Sequence, residues 1–132
     1  MTGKKAIVLA LVIALILKAF FFDFITAQGQ SMEPAIKNGD VLIINRLRYG
    51  LSIPWRQKYL IRWALPKTGE VVVFYTPTGE LAVKRCSSLI DDRRFYAEGD
   101  NSLASYDSRS YGAVPVDNII GKVLLRGTAP GL

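Results

Sequence analysis

The sequence predicts a mainly β domain, an antiparallel sheet coiled into a partly closed barrel, carried behind one N-terminal transmembrane helix. Three observations lead there. Apolar residues fill positions 6–22 with a single break at Lys18. After residue 27 the pattern changes to short runs of β-branched and aromatic residues separated by glycine, proline and asparagine, the residue usage of strands joined by turns. No stretch after residue 28 keeps a long helical period, so nothing there asks for a second long helix.

The chain opens "MTGKKAIVLALVIALILKAFFFDFITAQ". Residues 6–22 are 17 positions, the short end of the roughly 17–25 that span a bilayer. Lys18 stands near one end, where its long stem lets the ammonium snorkel to the headgroups. Phe20, Phe21, Phe22 and Phe24 would share that interface. Lys4 and Lys5 favour an inside N-terminus, which puts the rest of the chain outside the cytoplasm. Residues 1–27 are therefore read as cytoplasmic N-terminus and anchor, and residues 28–132 as an extracytoplasmic β domain. A cleaved signal peptide is the competing reading. Ile-Thr-Ala at residues 25–27 suits it poorly, because bulky Ile25 takes the −3 position of a small-x-small cleavage site. A helix buried on one side of a soluble domain would not need apolar residues on all faces.

Five strand candidates follow: "DVLIIN" (40–45), "GEVVVFYT" (69–76), "ELAVKRC" (80–86), "RRFYAEG" (93–99) and "IIGKVLL" (119–125). Between them lie Lys37-Asn38-Gly39, Pro66-Lys67-Thr68-Gly69, Pro77-Thr78-Gly79 and Gly99-Asp100-Asn101, each with turn chemistry. "TPTG" between two candidates reads as a hairpin. Residues 41–69 hold no acid and six bases, Arg46, Arg48, Arg56, Lys58, Arg62 and Lys67. Trp55, Tyr59 and Trp63 recur there every fourth residue. Rings at headgroup depth with cations facing anionic lipid fit this mixture. A solvated loop, or a single-stranded nucleic-acid surface, would use the same residues.

With 132 residues, half of them hydrophobic, the chain is long enough for one core. The single cysteine, Cys86, excludes an intrachain disulfide, and with no histidine a zinc site has no ligands to draw on. No metal or cofactor is expected. The net charge of +6 suits nucleic acid or an anionic membrane alike; the apolar N-terminus beside it decides for the membrane and against nucleic acid.

The chemistry turns on Ser31, which stands in "QGQSMEPAIKNGD". A serine hydroxyl is a weak nucleophile until a base takes its proton, and this chain has no histidine to do so. A lysine held neutral by apolar surroundings is the remaining candidate. Lys84 in "ELAVKRC" has such neighbours and lies on a predicted strand, with Ala82 on its own face and Val83 and Arg85 on the other. Taken alone, Lys84 reads equally as a surface residue and Ser31 as a turn residue. A second cluster lies in "EGDNSLASYDSRSYGAVP". There Asp107 and Arg109 can pair and Ser105 offers a hydroxyl, although a plain surface loop would also contain them.

Together these segments resemble the type I signal peptidases, the membrane-bound serine proteases that remove signal peptides from exported precursors. "GQSMEPAIKNGDVLIINR" is similar to the family's Ser-Met-x-Pro box and following strand, "RYGLSIP" and "PKTGEVVVF" to the next segments, "AVKR" to its lysine box, and "GDNSLASYDSR" with "YGAVPVDNIIGKV" to the last boxes. The resemblance implies Ser31 as nucleophile and Lys84 as general base, acting through an acyl-enzyme on preprotein signal peptides at a bacterial cell membrane. It implies a single pass, with the catalytic domain on the extracytoplasmic side. It also implies that Ser105 hydrogen-bonds the lysine amine, that Asp107 and Arg109 brace the site, and that Asp100 sits in the supporting turn. The Ser31 N–H would meet the oxyanion. Gly29 occupies the place where some members carry a second donor serine, and Met32 and Ala82 would shape shallow pockets for small side chains. Two departures stand out. The Gly-x-Pro-Gly-Asp turn after the lysine is replaced by residues 86–92, Cys-Ser-Ser-Leu-Ile-Asp-Asp, and only 14 residues separate Lys84 from Gly99, which leaves no room for the extra β domain of larger members. A non-catalytic membrane module on the same fold, or a self-cleaving repressor, are the rival functions. The first typically lacks the serine or the lysine, and the second needs a DNA-binding helix pair.

Overall fold

A computed structural model describes residues 2–52 and 59–127. Trp55, Arg56 and Lys58 of the basic aromatic stretch lie outside these residues. The first element is helix α1 (Gly3–Phe21). Thr2 caps its start, the hydroxyl accepting from the Lys5 N–H at 3.4 Å, which satisfies one orphan donor of the first turn. Residues 7–17 expose large apolar side chains around the whole helix, Ile7, Leu11 and Leu15 each more than half exposed.

Helix α1 ends one residue before the apolar run read from the sequence does. Phe22 turns to extended backbone and donates its N–H to the Lys18 carbonyl, and β1 (Phe22–Thr26) begins at once. Residues 22–26, assigned from sequence to the anchor, are therefore a strand of the β domain. No helix among the described residues is long and apolar enough to cross a membrane. Lys4, Lys5 and Lys18 confine the uninterrupted apolar run to residues 6–17, about 18 Å of helix at 1.5 Å per residue, against a hydrocarbon core of about 30 Å.

The remaining strands are β2 (Val41–Asn45), β3 (Gly50–Ser52), β4 (Tyr59–Arg62), β5 (Val71–Tyr75), β6 (Leu81–Leu89), β7 (Arg94–Glu98), β8 (Val114–Pro115) and β9 (Ile119–Gly127). A short helix, α2 (Ser108–Tyr111), precedes β8. Seven strands form one sheet in the order β1-β2-β9-β5-β6-β7-β8, and β3 and β4 make a separate two-stranded sheet. Every pairing is antiparallel. The sheet curls into a half-barrel, in keeping with the mainly β expectation. The "TPTG" hairpin forms as read: Gly79 N–H donates to the Thr76 carbonyl at 2.8 Å and Tyr75 pairs with Leu81.

Curling gives the sheet two apolar clusters. One gathers Tyr49, Val72, Phe74, Cys86, Phe95 and Val116, with Phe74 and Phe95 edge to face at 5.4 Å, a favoured ring geometry. The other gathers Ala27, Met32, Ile36, Leu42, Ile44 and Val73. Each buried aliphatic side chain contributes about 1.5–3 kcal/mol. Both clusters matter for chemistry, because the second anchors the turn after β1 and the first lies under the middle of β6.

The basic stretch is more structural than its composition suggests. Arg46 pairs with Asp23, Arg48 with Glu70 and Arg62 with Asp117. Leu60, Ile61 and Trp63 are each more than half exposed.

Candidate active site

Ser31 lies in the turn that leaves β1. Its neighbour Gly29 has φ +86°, a left-handed conformation that costs glycine nothing and strains other residues. The Gly29 N–H donates to Asn38 Oδ1 at 2.9 Å. A serine at position 29 would sit in strained backbone, so no hydroxyl comes from this position. Met32 and Ile36 plug the second apolar cluster, and Ile36 N–H donates to the Met32 carbonyl at 2.9 Å. The turn is thus pinned by burial on the C-terminal side of Ser31.

Lys84 occupies the middle of β6, paired with Val72 of β5. It is only 7 % exposed, and its Nζ donates to Ser31 Oγ at 2.6 Å. Burial is the main force lowering the Lys84 pKa below its ordinary 10.5; the nearby Asp107 carboxylate opposes it and the Arg109 cation reinforces it. A buried amine with a lowered pKa is the form a base needs. The neighbouring Cys86 is fully buried, and burial first, then the Glu70 carboxylate, pushes its thiol up to about 11, so it stays protonated.

Asp107 is the polar hub of the opposite wall. It is fully buried and accepts from the Gly99 N–H at 2.8 Å, Ser105 Oγ at 2.5 Å, and Arg109 through its N–H, Nε and Nη2 at 3.0, 3.0 and 2.6 Å. Burial alone would raise its pKa, but the bonds from Arg109, Ser105 and the two N–H groups outweigh it and hold the carboxyl well below the carboxylate range. The Asp107–Arg109 pair read from sequence is present. The bond expected from Ser105 to the lysine amine is not. The Ser105 hydroxyl donates to the buried Asp107 carboxylate, a charge-assisted bond, while Lys84 Nζ turns to Ser31 Oγ.

Asp100 stands in its expected turn and receives Arg85 Nε at 2.9 Å and Nη2 at 2.7 Å. Arg85 is a residue that sequence reasoning passed over; its position next to Lys84 on the opposite face of the strand was the available signal. Asn101 is another. Its N–H donates to the Ser31 carbonyl at 2.8 Å and its side-chain Nδ2 to the Gln30 carbonyl at 3.1 Å.

A groove of about 430 Å³ passes over the pair, with Ser31 and Lys84 in its floor and Gly29, Met32, Ala82 and Tyr106 among its lining. Its two sides are strand edges. β7 pairs with β6 only from Arg85 onward, so the backbone of residues 81–84 is unpaired on that side among the described residues. Among the described residues β1 pairs with β2 alone, which leaves its other edge unpaired there.

The family described as "Signal peptidase, peptidase S26" matches residues 2–93 and 81–127. Signal peptidase I of Haemophilus influenzae is 31% identical over 112 residues, covering 85% of this chain and 31% of that protein. Signal peptidase I of Bacillus caldolyticus is 27% identical over 149 residues, covering 83% of this chain and 81% of that protein. The mitochondrial inner membrane protease subunit 1 of Xenopus tropicalis is 32% identical over 116 residues, covering 79% and 68%. The chain therefore spans under a third of the Haemophilus relative and most of the other two. The chain belongs to the signal peptidase family, peptidase S26.

Proposed function

We propose that this protein is a membrane-bound serine endopeptidase that removes N-terminal signal peptides from exported precursors with Ser31 and Lys84 as its dyad. The observation that carries the reading is the 2.6 Å contact between Lys84 Nζ and Ser31 Oγ in the floor of an open groove.

In the neutral amine the hydrogen bond reverses, and the Ser31 O–H donates to the Nζ lone pair. Lys84 takes this proton as Oγ attacks the scissile carbonyl. The Ser31 N–H, which donates to no group among the described residues, is free to meet the oxyanion. Lys84 then returns the proton to the departing amine of the mature protein, leaving the signal peptide esterified to Ser31. Lys84, neutral again, takes a proton from the water that hydrolyses the ester.

An extended precursor segment fits between the two free strand edges, adding main-chain hydrogen bonds on the side of residues 81–84. Met32 and Ala82 then lie beside the residues preceding the cleaved bond, and the shallow wall they make favours small side chains there.

The exposed apolar surface of α1 supports attachment to a membrane, since a soluble chain rarely leaves so large a patch uncovered. Lys4, Lys5 and Lys18 lie at its ends, where snorkelling lets the flanking turns join the apolar run. Exposed Leu60, Ile61 and Trp63 beside basic residues suit the surface of anionic lipid. With the snorkelled ends counted into a spanning α1, Lys4 and Lys5 keep the N-terminus inside and leave the β domain outside the cytoplasm.

The test is cleavage of a secretory precursor by the protein in lipid vesicles, wild type beside Ser31→Ala. Mature product from wild type alone is expected. Product from both, or from neither, overturns the reading.

A further inference from the structure

The peptide unit joining Gln30 to Ser31 has two ends with different partners. Its N–H belongs to Ser31 and donates to no described group. Its C=O belongs to Gln30 and accepts from Asn101 Nδ2 at 3.1 Å and, within the turn, from the Glu33 N–H at 3.2 Å. A trans peptide is planar, with N–H and C=O antiparallel. Whatever fixes the carbonyl direction therefore fixes the direction of the N–H.

We propose that Asn101 is a positioning residue for the oxyanion donor, its side-chain amide holding the Gln30 carbonyl so that the Ser31 N–H points into the groove. This rests on the peptidase reading, in which that N–H stabilises the tetrahedral intermediate.

The Glu33 bond alone does not do this work, because it closes a local turn that can tilt as one piece. Asn101 reaches the turn from 71 residues away, on the far wall of the site, and its own backbone N–H grips the next carbonyl, that of Ser31, at 2.8 Å. Two successive carbonyls are thus held by one residue, and the peptide between Gln30 and Ser31 cannot rotate without breaking the side-chain bond. Donation into the carbonyl also polarises the whole amide, which makes its N–H a better donor. Gly99 permits this closeness: a Cβ there would strike the Ser31 carbonyl and Ser105 Oγ. The turn that carries Asn101 is in turn held by Arg85 on Asp100.

Because the oxyanion exists only after attack, loss of this hold lowers kcat and leaves substrate binding alone. The side-chain bond is isolated by Asn101→Asp, which keeps the shape and the backbone N–H and removes the donor, and by Asn101→Ala. Both are assayed with a secretory precursor peptide beside wild type and Ser31→Ala. The expected result is a kcat lower by about 10- to 100-fold, below the full loss of an oxyanion donor. KM should stay within about twofold, and in Asn101→Ala, which adds no charge near Lys84, the ascending limb of the pH profile should not move. A peptidyl trifluoromethyl ketone, which forms an oxyanion on serine, should lose affinity in step with kcat, while a non-reactive peptide of the same sequence keeps its affinity. Full kcat in Asn101→Asp, a loss seen only in KM, or equal weakening of both inhibitors overturns the proposal while leaving the peptidase reading intact. A wild type that cuts nothing overturns both.

Discussion

Arg85 and Asp100 meet two on two, Nε to Oδ1 at 2.9 Å and Nη2 to Oδ2 at 2.7 Å, and this pair joins the two sides of the site. Arg85 follows Lys84 on β6, and Asp100 precedes Asn101, whose N–H holds the Ser31 carbonyl. The distance between base and nucleophile is therefore set partly by an ion pair that touches neither. Arg85 also donates Nη1 to the Gly69 carbonyl at 2.8 Å, which ties the strand to the turn before β5.

Asp100→Ala should accordingly lower kcat/KM by about tenfold, the effect of a small misplacement of reacting groups. The pair is partly open to solvent, so its loss should cost stability only about 1 kcal/mol. Thermal unfolding beside peptide cleavage separates the two effects. A melting point that falls steeply with unchanged cleavage would show that the pair braces the fold and not the dyad.

Lys84→Met should abolish cleavage, on the order of 10⁶-fold as for loss of the base in a nucleophile–base set. The variant should be at least as stable as wild type at neutral pH. Burial lowers the Lys84 pKa below 10.5, so the unfolded chain binds the proton more tightly than the native one. Wild-type stability then rises with pH between the lowered folded value and 10.5, and below that window the full cost of burying the cation is present. The methionine variant lacks this slope. Denaturant titrations at several pH values read it directly. The kcat/KM profile of wild type should likewise ascend below pH 10.5, and an ascending limb at the free lysine value would contradict a neutral, buried base.

Asp107→Asn should destabilise by about 2 kcal/mol, the scale of hydrogen bonds to a charged group, because five donors lose a charged acceptor. The folded pKa of Asp107 is depressed, so its contribution is complete above the ordinary value near 3.8 and fades as pH falls through the folded one. The gap between wild type and variant should be full at pH 5–7 and should narrow only under acid conditions. A gap that already closes near pH 6 would mean that the charge at Asp107 is not what stabilises the loop.

The parts of this molecule that could be read from its sequence are those whose cause is local. β2, β5 and β9 carry β-branched runs, β6 and β7 carry alternating apolar or aromatic residues, and Gly79 sits where the hairpin turns. Short β3 and β8 contain three and two residues, too few for any alternation to register, and exist because partners lie beside them. β1 was hidden by continuity. Phe22 and Phe24 extend the apolar run of α1 with no glycine or proline between, so only pairing with β2 tells strand from helix. In the site, residue types showed which groups could react, and alternation put Lys84 and Ala82 on one face. The partner of Ser105 did not follow, because a hydroxyl two residues from a buried carboxylate has its choice made by burial. Nor did Asn101, whose contacts span about half of the chain.

The exposed residues of α1 give the last prediction. Leu11 and Leu15 are 60% and 68% exposed and lie one turn apart on the helix, so changing them disturbs no packing in the β domain. Leu11→Lys with Leu15→Lys should move the protein from the pellet to the supernatant when it is spun with vesicles containing anionic lipid, since each cation opposes membrane insertion by about 2.5–3.5 kcal/mol at the helix centre. Cleavage of a short soluble peptide should persist within about twofold, because Ser31 and Lys84 are untouched. A double variant that still sediments with the vesicles would assign the membrane contact to another surface, of which exposed Leu60, Ile61 and Trp63 are the first to change.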